Sequence, residues 1–420
     1  MIGVFLLYTC CIAAKMMGEP MPEKKFFRYL TFGSLYFTQG TILGFFAALN
    51  ALYLLDNGLN MADVGIFGFI ALLPFVLKIG LGILSDRVNL LGFGYRKPYI
   101  FIGLAVQFLC LLLAPFVNPG TYFWGYVALA FTMQLGMALY DTCTDGLALD
   151  TTPVDEQGTI QGFMVGGRAV GSIVAASVVG FLAENVSWLA VFWVLAGLTL
   201  LPLPFMFSIK EGQREVEKRF DWSAFKAFNR STFLAGGLGL VMFLIILGAN
   251  QLVNPYLQAQ FGISLTQAGM ITSVWGAGVV GGSFVGGWLM HKYPPKRALS
   301  YGVLLLSAAL LALAFLVSPQ FGLPLAIALV VFFGVAYGAY QTKYFAVAMR
   351  FVDPRIAASM YAILMAFTNV GQGIGMFLSG TLAESAGFST TFLILLGINL
   401  LLLPLLSLVF KGHSAVSETA

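Results

Sequence analysis

The chain has 420 residues, 59% of them hydrophobic and only 10% charged, with a formal net charge of +4. No soluble fold of this length tolerates that balance, so the composition implies a polytopic helical membrane protein. The basic residues are dispersed through short loops, which argues against a nucleic-acid surface, and the four cysteines (adjacent Cys10 and Cys11, with Cys110 and Cys143 in apolar stretches) imply no disulfide framework.

The first 14 residues are apolar, but they lack a basic n-region and are too short to span. They read as an extension ahead of Met21-Pro-Glu-Lys-Lys, which would make an ordinary cytoplasmic start. A signal peptide is the alternative, and the missing positive charge disfavours it. Twelve apolar spans follow, at 28–54, 62–84, 99–117, 122–149, 159–183, 188–209, 232–258, 265–290, 298–317, 323–349, 356–383 and 388–410. With these boundaries Arg28, Arg87, Arg96, Lys97, Lys210, Arg214, Lys218, Arg219, Lys226, Arg230, Lys292, Lys296, Arg297, Arg350, Arg355 and Lys411 all fall on one side. The opposite side carries Asp56, Asp63, Glu184 and Glu384 and no Lys or Arg. The positive-inside rule therefore places both termini in the cytoplasm. A miscounted helix would scramble the asymmetry.

The second span ends in Leu73-Pro74-Phe75-Val76-Leu77-Lys78-Ile79-Gly80-Leu81-Gly82-Ile83-Leu84-Ser85-Asp86-Arg87, followed by Gly94-Tyr95-Arg96-Lys97. Glycine there lets helices approach, Asp86 can cap or pair across a gap, and the basic residues hold the loop at the cytoplasmic side. The chain also repeats itself. Asn50, Gly58, Asn60 and Gly65 recur 204 residues later as Asn254, Gly262, Ser264 and Gly269. Asn60-x-x-Asp63 and Ser264-x-x-Gln267 are both capping boxes. After the shorter second loop at His291 to Arg297 the offset settles at 200: Tyr140 matches Tyr340, Gly171 matches Gly371, and Gly180 to Glu184 matches Gly380 to Glu384. An even number of spans per repeat makes the halves parallel. The expected organisation is a segment 1–27, a six-helix bundle 28–209, a cytoplasmic linker 210–231, a second bundle 232–411 and a tail 412–420.

The pattern Gly82-x-x-x-Asp86-Arg87, then Gly94, Arg96 and Lys97, resembles the loop between helices two and three of the major facilitator superfamily, with extra residues near Asn89 to Phe93. Parallel six-helix halves are that family's architecture. The resemblance covers the chain from about residue 26 onward. It implies a cavity lined by helices one, four, seven and ten, alternating access by rocking of the halves, and gating by Asp86, Arg87, Arg96 and Lys97. Leu73-Pro74-Phe75-x-Leu77-Lys78 and Asp141-x-x-x-Asp145-Gly146-x-Ala148-x-Asp150 with Glu156-x-Gly158 are similar to the peptide/acetyl-coenzyme A transporter group, which includes muropeptide permeases. Gly94 to Tyr99 is similar to folate–biopterin transporters and related light-harvesting assembly proteins. These signals point to different substrates.

Charges inside a membrane are costly and mark function. Asp141 and Asp145 lie one turn apart on a shared face of helix four. Lys343, with Tyr340 and Gln341, lies in helix ten, and the expectation is that it faces the Asp pair across the cavity as part of a solute or proton site; a structural interhelix salt bridge is the plainer reading. Arg168 lies at a depth similar to Asp141 and is expected to pair with it and to act with the gating residues. Lys78 reads equally as an interfacial anchor or a substrate-carboxylate ligand. Gln39 and Asn50 on helix one, and Asn250, Gln251 and Asn254 on helix seven, are amides that either orient a solute or glue helices; the helix-seven cluster is read as solute contact. Pro255 is expected to break helix seven. Gly162, Gly166, Gly167 and Gly171, with Gly371, Gly373 and Gly375, form packing stripes. Neither a nucleotide loop nor a metal-ligand cluster nor a Ser/His/Asp order is visible, so no cofactor and no enzymatic activity are expected.

These readings describe an all-α protein with twelve helices in two pseudo-symmetric bundles. The expected activity is secondary active transport of a small polar organic solute, coupled to protons, by a monomer in the inner membrane. The rival is a non-transporting assembly or pigment-handling protein of the same fold.

Overall fold

The structure, a computed structural model, describes residues 23–90, 94–153, 156–207, 209, 211, 230–351 and 357–414. The elements are helical throughout the described residues. Among the described residues, twelve helices are long and apolar enough to cross a membrane: α1 Lys25–Asp56, α2 Met61–Gly82, α3 Lys97–Phe116, α4 Phe123–Thr151, α5 Thr159–Asn185, α6 Trp188–Met206, α7 Arg230–Phe261, α8 Leu265–Lys292, α9 Pro295–Leu316, α10 Leu323–Arg350, α11 Ile363–Ala386 and α12 Phe388–Ser407. They agree with the hydropathy spans to within a few residues at nearly every end, because a bilayer demands about 20 apolar residues per crossing. The start of the eleventh span at 356 lies outside the described residues.

The repeat is visible in how the helices start. Gly58 (φ 83°) and Gly262 (φ 62°) turn the chain between α1 and α2 and between α7 and α8. Each turn leads into a complete capping box, Asn60 with Asp63 and Ser264 with Gln267. Pro255 does not break α7, which runs without interruption from Arg230 to Phe261. The interruptions lie elsewhere: a π-turn at Phe46–Asn50 within α1, and a break at Leu77 in α2, three residues after Pro74. The carbonyl of Phe75 at that break accepts a hydrogen bond from Asn369 of α11 (3.1 Å), the kind of re-satisfaction that makes an irregular helix tolerable inside a membrane.

Within each half, α1 packs on α5 and α7 on α11, backbone against backbone. A Cβ at Gly171 would strike the Phe37 carbonyl and one at Gly371 the Leu240 carbonyl, so repeat-related glycines make repeat-related contacts. Gly373 instead faces Phe69 of α2, while Gly162 and Gly166 meet open space. The halves meet along two symmetric seams, α2 with α11 and α5 with α8. The first runs from Met61 and Glu384 past Gly65 and Gly380 to Phe75 and Asn369. The second runs from Thr266 and Glu184 past Gly180 and Gly269 to Ile173 and Gly276. Both seams begin at the acidic end and stop near mid-membrane. Beyond that point Gly80 of α2 and Gly287 of α8 meet open space. The result is a cleft closed at the acidic end and open toward the basic end.

Candidate substrate and proton site

Asp141 is 4% exposed on α4 and forms an ion pair with Lys78. Lys78 is the first residue after the α2 break, so the kink at Leu77 aims its stem at α4. Asp145, one turn further along, accepts a hydrogen bond from the hydroxyl of Tyr36 on α1. Arg168 of α5 is exposed toward the cleft, and its charge acts on Asp145, Lys78 and Tyr36 in its own half and on Tyr337 of α10 in the other. Among the described residues no carboxylate lies within ion-pair distance of Arg168. Lys78 is therefore the partner of Asp141, and the expected Asp141–Arg168 pair is not formed. Equal depth was the available signal: Lys78 and Asp141 lie at similar distances along their helices from Arg87 and Thr151.

Lys343 corrects a second expectation. It is fully buried, its Nζ has no hydrogen-bond partner, and it lies against Gly302 of α9 rather than in the cleft. Tyr340 is likewise internal: its hydroxyl donates to Asn399 Oδ1 (2.6 Å), and Asn399 donates to Ser307 Oγ (3.0 Å) and the Val303 carbonyl (2.9 Å). The residues 200 positions earlier explain why. Tyr140 is buried beside Gly103, Gln107 bonds Thr199 (2.9 Å), and Lys343 takes the place of buried Cys143. Asp141 corresponds to Gln341, which is partly exposed, so Gln341 and not Lys343 holds the cleft-facing position on α10.

The amides divide. Gln251 donates to the Met376 carbonyl and to Ser379 Oγ (2.7 Å), joining α7 to α11. Asn254 donates to the Ala48 carbonyl of the other half (2.7 Å) and to Thr272 Oγ1 (2.8 Å). Both are helix glue in this state. Asn250 borders a cavity of about 200 Å³ with Ala47, Asn254, Thr272 and Trp275. There the Asn254 Oδ1 and Trp275 Nε1 atoms are buried without partners, as are Gln39 Oε1 and Asn50 Oδ1 on α1.

At the basic end, Arg96 is buried; it donates to Ser85 Oγ (2.7 Å) and approaches Asp150 (3.5 Å). Lys97 donates to the Ile209 carbonyl (2.7 Å). Glu211 accepts from the backbone N–H groups of Tyr95, Arg96 and Lys97 (2.7, 2.8 and 3.2 Å), an anionic cap on the N-terminus of α3. The described bonds of Arg96 and Lys97 join the first half to the start of the linker at Glu211. The Asp86 and Arg87 side chains lie outside the described ones. Glu156, between α4 and α5, holds Lys25 (3.0 Å), Arg28 and the Tyr29 hydroxyl (3.2 Å) of α1. Burial pushes its carboxyl up, but the Lys25 hydrogen bond and the Arg28 charge outweigh this and hold it below the usual range.

Twelve membrane-crossing helices in repeated halves, closed at one end around a mid-membrane ionic cluster, define a multi-pass membrane transport protein. The chain belongs to the Major Facilitator Superfamily, whose family model matches residues 29–362 and 240–419. It is 34% identical over 184 residues to the folate-biopterin transporter of Synechocystis sp., a match covering 42% of this chain and 36% of that protein. It is 25% identical over 350 residues to the anhydromuropeptide permease of Escherichia coli K12, covering 80% of this chain and 70% of the permease. The crystal structure of nucleoside transporter NupG shares the fold at a TM-score of 0.74, with 16% identity, 91% of this chain and 99% of that chain covered. These relatives are transporters, not enzymes.

Proposed function

We propose that the chain is a secondary active transporter that carries a small anionic or zwitterionic organic solute by alternating access, coupled to protons. The observation that carries the reading is the ionic cluster at the floor of the cleft: Lys78 with Asp141, Tyr36 with Asp145, and Arg168, which among the described residues has no carboxylate within ion-pair distance. On this reading Arg168 takes an acidic group of the solute. On this reading Gln341, the repeat counterpart of Asp141, contributes to the site from the second half, and Asn250 and Asn254 line the adjoining cavity. Tyr340 and Lys343 support the second bundle from within.

Asp145 is the proton carrier. Asp141 has its charge matched by Lys78, so protonating it would leave a cation unmatched inside the membrane. The described hydrogen bond of Asp145 comes from a neutral hydroxyl, and the Lys78 and Arg168 charges act on it only from beyond ion-pair distance, so a proton there breaks no ion pair. A protonated Asp145 leaves Arg168 to the solute; loss of the proton on the other side returns the cation to the carboxylate and releases the solute. The basic end is cytoplasmic on this reading, both termini lie in the cytoplasm, and the protein works as a monomer in the inner membrane with bundles at 28–209 and 232–411 joined by the linker 210–231. The relatives' printed activities make peptide-, sugar- or cofactor-like solutes the first to screen.

Proteoliposomes decide between this and the assembly-factor rival. Asp145→Asn should lose uptake driven by a pH gradient yet retain exchange of solute across a membrane without a gradient. Gradient-driven uptake unchanged in that variant removes Asp145 as the proton site. No flux for any solute, together with a stably co-purifying membrane protein, favours the rival.

A further inference from the structure

The seam at the acidic end contains a repeated device. Glu384, near the end of α11, accepts the backbone N–H of Met61, the first residue of α2 in the other half (Oε2 to N, 2.9 Å). Glu184, 200 positions earlier near the end of α5, accepts the backbone N–H of Thr266, the second residue of α8 in the other half (Oε2 to N, 2.8 Å). Each carboxylate thus sits on the positive end of a helix that belongs to the opposite bundle, where it answers both the orphan N–H and the helix dipole. Each is flanked by a glycine contact that brings the same two helices together: Gly380 against Met61 and Gly65, and Gly180 against Leu265 and Gly269. The capping boxes at Asn60 and Ser264 already satisfy the N–H of the third residue of each helix, so the two glutamates serve donors that the local sequence leaves over.

We propose that Glu184 and Glu384 are a two-fold latch that holds the acidic end shut. They act as positioning residues for the transport step: the cleft opens to that side only when both carboxylates leave the helix ends. The contacts are between bundles rather than within one, so they cannot survive a rocking motion that separates α2 from α11 and α5 from α8. The carboxylates are solvent-exposed, so each contact is weak enough to break in every cycle. A charge on a helix end at an exposed site biases the closed state by roughly two- to fivefold, and the distant pair by roughly tenfold together. The two copies differ in one respect. Glu384 caps a helix whose own box residue is the charged Asp63, whereas Glu184 caps one whose box residue is the neutral Gln267. Glu384 therefore holds its helix less firmly and is the first of the two to let go.

The inference rests on the alternating-access reading above, and the test separates the two. It uses the full chain, purified in detergent, with Cys10 and Cys11 changed to Ser and Cys110 and Cys143 to Ala. One cysteine is added at Met376, which packs against Gly68 inside the seam; a second background instead carries a cysteine at Val165, which is 62% exposed on the cleft side of α5. Maleimide labelling rates are the readout. Glu384→Gln and Glu184→Gln should each raise labelling at Met376→Cys by roughly two- to fivefold, with Glu184→Gln the larger, and the two together by roughly tenfold. Met61→Pro supplies an independent route, since it deletes the donor N–H, with Met61→Ala as the control for loss of the buried Met61 side chain. Proline suits the first helical position, and Asn60 before it is already extended (φ −104°, ψ 176°). Met61→Pro should match Glu384→Gln, and combining them should add nothing. Unchanged labelling at Met376→Cys in folded variants, or full additivity of Met61→Pro with Glu384→Gln, overturns the latch. If labelling rises at Met376→Cys without falling at Val165→Cys, the latch stands and the rocking reading fails.

Discussion

Lys78→Met separates the two possible partners of Asp141. Methionine keeps the apolar stem and deletes only the ammonium, which strands a carboxylate whose side chain is 5% exposed. Breaking a fully buried pair from one side costs about 3–5 kcal/mol. Lys78 is 28% exposed, so water already screens the pair from the cleft side and the cost falls to about 2–3 kcal/mol. The reverse change, Asp141→Asn, leaves a lysine that can extend into the cleft, for about 1–2 kcal/mol. Removing both charges in Lys78→Met with Asp141→Asn leaves nothing unmatched and should return to within about 1 kcal/mol of the parent. Asp141→Asn with Arg168→Gln should show no such recovery. Equilibrium unfolding in mixed micelles at neutral pH, followed by tryptophan fluorescence, gives the coupling energy from the double-mutant cycle. A Lys78–Asp141 coupling below about 0.5 kcal/mol, or recovery with Arg168→Gln instead, refutes the assignment.

Lys343→Met removes an unpaired buried amine at nearly constant volume, so stability should be unchanged or higher by about 1–2 kcal/mol and solute KM unaltered; a weakened KM would put Lys343 back in the site. Glu156 has a folded pKa below its usual 4.5, so its contribution is fully present above that pH and is lost as the pH falls through the lower folded value; the unfolding midpoints of wild type and Glu156→Gln, scanned against pH, should differ at neutrality and converge in acid. Tags at Asn57, Gly120 or Gly322 should report from the periplasm and tags at Gln213 or Ala420 from the cytoplasm; a cytoplasmic signal from Gly120 would overturn the span assignment.

The sequence by itself determined the number of crossings, the repeat and the stripes of small residues, because these follow from one-dimensional constraints: the thickness of a bilayer, the cost of charge within it, and the space a glycine leaves. It also determined depth. Asp141 and Arg168 could be placed at similar depth from their distance to a helix end, whereas Lys78 read equally as an interfacial anchor. Rotation about the helix axis was legible only where the repeat was used residue by residue. Lys343 aligns with Cys143, a packing position, and that alignment was the signal that it does not face the cleft. What the tertiary structure alone decided is which elements are neighbours at a given depth. The break after Pro74 swings Lys78 onto Asp141 and leaves Arg168 to the cleft. The acidic seam brings Glu184 and Glu384 onto helices more than 80 and 300 residues away. Hydrophobic burial does not select among such pairings in a membrane, where lipid and protein are equally apolar. Close backbone packing and a few unmatched charges and N–H groups select them, and these act only once the helices have met.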